Sequence, residues 1–163
     1  MIFAKPGYRI YKTVLAVFIC LSVGKFINYG YPIFALFSCI LMMKETPDLS
    51  IKFGINRSIG TVFGGLIATL ALAISLSLKI DTNSFFYIFL ICATLLTTLS
   101  LAKMFQLPEY AMSMASLIVV IIMINYNVSI QTSLIYSFYR IIETILGIVV
   151  AVAINITVKP LKK

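Results

Sequence analysis

The sequence predicts an all-α membrane protein with six transmembrane helices arranged as two inverted three-helix repeats. Three observations predict it. The 163 residues are 61% hydrophobic, where a soluble domain is about 45–50% apolar. Their mean hydropathy is +1.08, and the apolar residues fall in separate runs. Most of these approach the roughly 20 residues that a helix needs to cross hydrocarbon. The second observation is charge: 13 cations against 5 acids give a net charge of +8. The cations sit between or beside the apolar runs, where they act as topology signals and contacts to anionic lipid, not as a nucleic-acid surface. The third is an internal repeat between Asn56–Ala68, NRSIGTVFGGLIA, and Tyr139–Ala151, YRIIETILGIVVA, with a constant separation of 83 residues.

The elements follow in order. Lys5, Arg9 and Lys12 precede a first span over about Thr13–Ile27, and Lys25 near its far end can snorkel outward. No A-x-A cleavage site follows, so the segment reads as a retained span and not as a signal peptide. Asn28-Tyr29-Gly30-Tyr31-Pro32 is a turn with aromatic anchors. Ile33–Met43 is a second apolar run, short for a full crossing at about 1.5 Å per residue. Thr46, Pro47 and Asp48 then open a helix as N-cap, first residue and first-turn acid. That helix crosses over about Ile55–Leu78. A polar turn, Lys79–Ser84, leads to a fourth span over Phe85–Leu101, with Thr94, Thr97, Thr98 and Ser100 forming a polar stripe. Glu109 starts a fifth helix that runs to about Ile124. The uncharged loop Asn125–Ser129 and a sixth helix over about Ser133–Val158 lead to the basic tail Lys159–Lys163.

Six spans put both termini on one side. With the N-terminus inside, Lys5, Arg9, Lys12, Lys44, Lys52, Arg57, Lys103, Lys159, Lys162 and Lys163 lie inside and Lys25, Lys79 and Arg140 outside. That bias predicts cytoplasmic termini in the plasma membrane, the bacterial cytoplasmic membrane. Three spans per half is an odd number, so the second half (about 81–163) is expected to be inverted relative to the first (about 1–80). Inverted repeats are a frequent transporter architecture, with the site near the repeat interface.

The repeat aligns Arg57 with Arg140, Thr61 with Thr144, Gly64 with Gly147 and Ala68 with Ala151. Gly60, Gly64 and Ala68 recur every four residues. They place small side chains on one helix face, where a second helix can approach closely. Gly65, Gly147 and Ala151 extend this set of packing candidates. An arginine in lipid costs about 3 kcal/mol or several times that, so each needs a reason. Glu143 lies three residues after Arg140, within reach as a local neutral couple. Arg57 has no carboxylate at helical spacing. Two readings of it stand: a guanidinium fork on an anion path, or a topology anchor that snorkels to the cytoplasmic interface. Thr61 and Thr144 can line the same path or bond back to their own helices.

The remaining chemistry is sparse. There is no histidine, which removes the commonest general base and metal ligand. Cys20, Cys39 and Cys92 each sit alone in an apolar run and read as small buried hydrophobes. No nucleophile–base pair or metal-ligand spacing is present. The expectation is therefore no catalytic residue, no metal and no cofactor.

Lys12-Thr13, Tyr31-Pro32, Asn56-Arg57, Gly60-Thr61, Gly64-Gly65 and the Arg140–Thr144–Gly147 pattern together resemble the membrane domain of the aromatic acid exporter / fusaric acid resistance (FUSC-like) superfamily. The resemblance covers nearly the whole chain. It implies a six-helix module that moves or conducts organic anions, often as a pair of modules. Many relatives carry a soluble domain after the sixth span; this chain reads as a short form without it, which favours a homodimer. The function expected is export of small, aromatic carboxylate anions, with Arg57, Thr61, Arg140, Glu143 and Thr144 as substrate-path candidates. The rival is a non-transporting scaffold or a subunit of a larger membrane complex. The partners expected are the bilayer, a second copy and the anion, with no nucleic acid.

Overall fold

A computed structural model describes residues 7–27, 30–125 and 130–158. The Asn28-Tyr29 part of the first turn, the loop 126–129, Lys5 and the basic tail lie outside the described residues. These residues form six helices in order: α1 (Tyr8–Phe26), α2 (Ile33–Met42), α3 (Pro47–Ser77), α4 (Phe85–Met104), α5 (Glu109–Asn125) and α6 (Ile130–Thr157). Among the described residues no strand is present.

Local chemistry explains the boundaries. Thr46 Oγ1 accepts the Leu49 N–H at 3.4 Å, which makes it the N-cap ahead of Pro47. Ser84 Oγ accepts the Phe86 N–H at 3.2 Å and opens α4. α3 and α4 stop in the same way. Lys79 (φ 51°) and Gln106 (φ 52°) take the left-handed conformation, and the following N–H reaches back five residues, Ile80 to Ser75 and Leu107 to Ala102. That is a Schellman ending without the usual glycine. α1 begins at Tyr8 and α6 at Ile130, ahead of the apolar runs that were expected to mark them. The difference is physical: the apolar run reports the hydrocarbon-embedded part, and a helix can continue into the polar interface.

Among the described residues, three stretches are long and apolar enough to cross a membrane: Pro47–Ser77, Phe85–Met104 and Leu134–Thr157. α2 and α5 are shorter apolar helices. At about 1.5 Å per residue, the 10 residues of α2 rise about 15 Å, half the roughly 30 Å of hydrocarbon. α1 carries Arg9, Lys12 and Lys25 within its 19 residues. The protein is an all-helical membrane protein.

The chain divides into two compact units. The first takes the chain up to Ile55 and resumes at Ile142. It holds α1, α2, the opening turns of α3 and the later part of α6. Here α1 packs on α2, and Gly147 of α6 lies so close to α2 that a methyl would overlap the Ala35 carbonyl and the Ser38 Cβ. Gly54 likewise meets the Ile148 side chain. The second unit, Asn56–Ile141, holds the rest of α3, α4, α5 and the start of α6. α4 packs on α5, with Tyr87 Oη donating to the Met123 carbonyl at 2.5 Å. Gly60 meets Ala111 and Met114 of α5, and Gly64 meets Ala115. Gly65 lies off this seam, 3.7 Å from the Ser137 Cβ, with room for a methyl. Ala68 and Ala151 are fully buried.

Candidate functional site

In the second unit the site is built on α3. Arg57 is 6% exposed, and its Nη1 donates to the Met114 thioether at 3.0 Å. A thioether is a weak, neutral acceptor, so this contact orients the guanidinium without cancelling its charge. Thr61, one turn on, donates to the Arg57 carbonyl at 2.9 Å. Gly60 and Gly64 allow α5 to come close enough for Met114 to reach the guanidinium. In the same unit, Arg140 is half-buried, with its guanidinium carbon 4.1 Å from the centre of the Tyr136 ring. A flat cation on an aromatic face is favourable and is retained when desolvated.

In the first unit the polar groups serve helix ends. Glu143 is buried, and its Oε2 accepts the Phe34 N–H at 3.0 Å in the first turn of α2. Pro32 offers no side-chain cap there, so a carboxylate from α6 meets the positive end of α2. The opposite pairing lies at the far end of α6. Lys12 is 8% exposed; its Nζ donates to the Asn155 carbonyl at 3.3 Å and to Asn155 Oδ1 at 3.0 Å. Asn155 Nδ2 donates in turn to the Lys44 carbonyl at 3.1 Å and to Ser50 Oγ at 2.9 Å. Sequence reasoning treated Lys12 as a flanking charge and did not single out Asn155 or Ser50. One signal was available: an asparagine inside the apolar run AVAINITV needs a polar partner.

Thr144, like the buried Ser75, departs from most of the helix hydroxyls. Ser22, Thr69, Thr94 and Thr98 donate to the carbonyl four residues back, as does Thr61. Thr144 is 1% exposed, and its Oγ1 has no hydrogen-bond partner among the described residues. A buried, unpaired hydroxyl costs about 1–3 kcal/mol. Thr144→Val is therefore expected to raise the thermal midpoint in detergent, whereas Thr61→Val is not. A lower midpoint for Thr144→Val contradicts this placement.

Grooves open on the surface of each unit. One, of about 560 Å³, is lined by Phe18, Leu21, Ser22, Lys25, Gly30 and Tyr31. Another, of about 620 Å³, includes Asn83, Tyr87, Cys92 and Asn125. Neither is lined by Arg57, Thr61, Arg140, Glu143 or Thr144.

Among known proteins, no curated entry and no solved structure matches the chain. A family model described as fusaric acid resistance protein-like matches residues 8–154. The match runs from the first residue of α1 to one residue short of Asn155, and so takes in both arginine motifs. It supports a membrane location and a transporter-like role. The chain belongs to the fusaric acid resistance protein-like family.

Proposed function

We propose that this protein moves small organic anions, aromatic carboxylates foremost, across the plasma membrane. The observation that carries this reading is the placement of Arg57. It is 6% exposed and lies about 15 Å along a helix of about 46 Å, at about 1.5 Å per residue. A helix that overhangs roughly 30 Å of hydrocarbon equally at each end puts this arginine below the boundary. Positive charge held there lowers the barrier for an anion. The planar fork suits a carboxylate, and the thioether and apolar helices around it suit an aromatic body.

Further elements of the reading rest on the repeat. Arg57 and Arg140 each lie ten residues after the first residue of their helix, Pro47 and Ile130. Gly64 of α3 meets a carbonyl of α5, and Gly147 of α6 meets a carbonyl of α2. The third helix of each half thus packs on the second helix of the other, which supports two inverted halves that exchange partners. The cation bias supports cytoplasmic termini. A homodimer, with the exposed Val14 and Phe18 of α1 available to a second copy or to lipid, completes the proposal.

The test is uptake of labelled benzoate into phosphatidylcholine vesicles that contain the purified protein. Saturable uptake above protein-free vesicles, reduced by other aromatic carboxylates and not by benzamide, is expected. Uptake equal to protein-free vesicles rejects transport and leaves the scaffold role.

A further inference from the structure

The cluster around Lys12 holds a charge that the described residues orient but do not neutralise. Lys12 is more than nine-tenths buried. Among the described residues its Nζ donates to two oxygens, both of Asn155, and the Tyr8 ring lies 5.4 Å away. Among the described residues no carboxylate pairs with it. Part of this arrangement is structural, because Asn155 lies in the last turn of α6, where a cation is favourable and a carbonyl lacks an intrahelical donor. Capping accounts for two of the three ammonium N–H groups. It does not account for a full charge kept beside neutral groups, which is costly without an anion.

The second observation is the way in which Asn155 is fixed. Its amide nitrogen faces the Lys44 carbonyl, which can only accept. Its Oδ1 is therefore held toward Lys12. Ser50 is fully buried, and its Oγ accepts from both Asn155 Nδ2 at 2.9 Å and the Lys44 N–H at 3.2 Å. The ends of α2 and α6 and the starts of α1 and α3 are thus joined by one network in which, among the described residues, the Lys12 ammonium carries the charge. Arg9, Lys44 and Lys52 lie on the same four chain segments.

We infer that Lys12, oriented by Asn155 and Ser50, is an oxyanion-binding point at this end of the first unit, and that its ligand is a carboxylate or phosphate group. The inference deepens the anion-transport reading and rests on it only for the carboxylate as cargo. The same chemistry would recognise the headgroup of an anionic lipid. Arg57 belongs to the second unit, so the two cations are separately testable.

The experiment measures binding, not flux, on the full chain in lipid-free detergent. Labelled benzoate is followed by equilibrium dialysis, and phosphatidylglycerol by retention through purification. Lys12→Gln keeps a donor for Asn155 and removes the charge. It is expected to weaken binding at least tenfold while the thermal midpoint stays within a few degrees; Lys12→Arg is expected to stay within threefold of wild type. A loss for benzoate alone assigns a free carboxylate, a loss for phosphatidylglycerol alone assigns a headgroup, and either supports the site. Unchanged affinity for both, or no binding of either by wild type, overturns it and leaves a helix cap. Should Lys12→Gln not fold, Asn155→Asp supplies an internal counter-ion and is expected to show the same loss; unchanged binding there also overturns the site. Wild-type binding without flux would reject transport and leave this site standing.

Discussion

Gly64→Val is expected to lower the stability of the protein by about 3 kcal/mol or more, and Gly65→Ala to leave it equal or higher. A Cβ on Gly64 would overlap the backbone of Ala115, including its Cα at 2.8 Å. Backbone cannot move aside as a flexible side chain can, so α3 and α5 must separate. Overpacking typically costs about 1–3 kcal/mol, and valine adds branching and a wider gap along the whole seam. Between membrane helices close packing is the main attraction, because lipid tails are as apolar as the side chains. Gly65 has only the Ser137 side chain nearby, at 3.7 and 4.0 Å. Alanine there keeps ordinary contact and gains roughly 1 kcal/mol of helix propensity. Thermal midpoints of the two variants in the same detergent check the pair. A Gly64→Val protein as stable as wild type would show that α3 does not rest on α5.

Arg57→Met is expected to lower benzoate uptake by tenfold or more without unfolding the protein. A hydrogen bond to a charged group contributes about 1.5–3 kcal/mol, which corresponds to roughly 10- to 100-fold in rate or affinity. Methionine keeps an unbranched side chain beside Met114 and removes a buried cation that is costly to hold. Stability should therefore be retained or rise as uptake falls, a combination that a structural arginine would not give. Arg57→Lys keeps the charge and loses the fork, so it should fall between the two. A loss of stability in Arg57→Met, in step with uptake, would assign the residue to folding.

The start of each of α2, α3, α4 and α5 was legible in the sequence. Pro32 before Ile33, Thr46-Pro47-Asp48, Ser84 before Phe85 and Pro108 before Glu109 are local signals, and the helices begin there. The seam glycines were legible for the same reason: four-residue spacing along one helix is local information. Gly65 was less so, because two adjacent glycines cannot both face α5 and spacing alone does not separate their environments. The helix ends at Lys79 and Gln106 carried no glycine to announce them. The polar groups of the first unit were hidden by distance along the chain. Lys12 and Asn155 are 143 residues apart and Phe34 and Glu143 are 109 apart. Spacing offered Arg140 as the helical neighbour of Glu143, and no periodicity points to its contact with the first turn of α2. The missing back-bond of Thr144 was equally invisible, since Thr61 and Thr144 occupy the same place in the repeat.

The central claim is that the Arg57 guanidinium lowers the barrier for a passing anion. Its most direct test compares initial uptake of labelled benzoate and of uncharged benzamide in vesicles with equal amounts of folded wild-type and Arg57→Met protein. The account predicts at least a tenfold fall for benzoate and an unchanged rate for benzamide. Equal benzoate rates in the two preparations would contradict it.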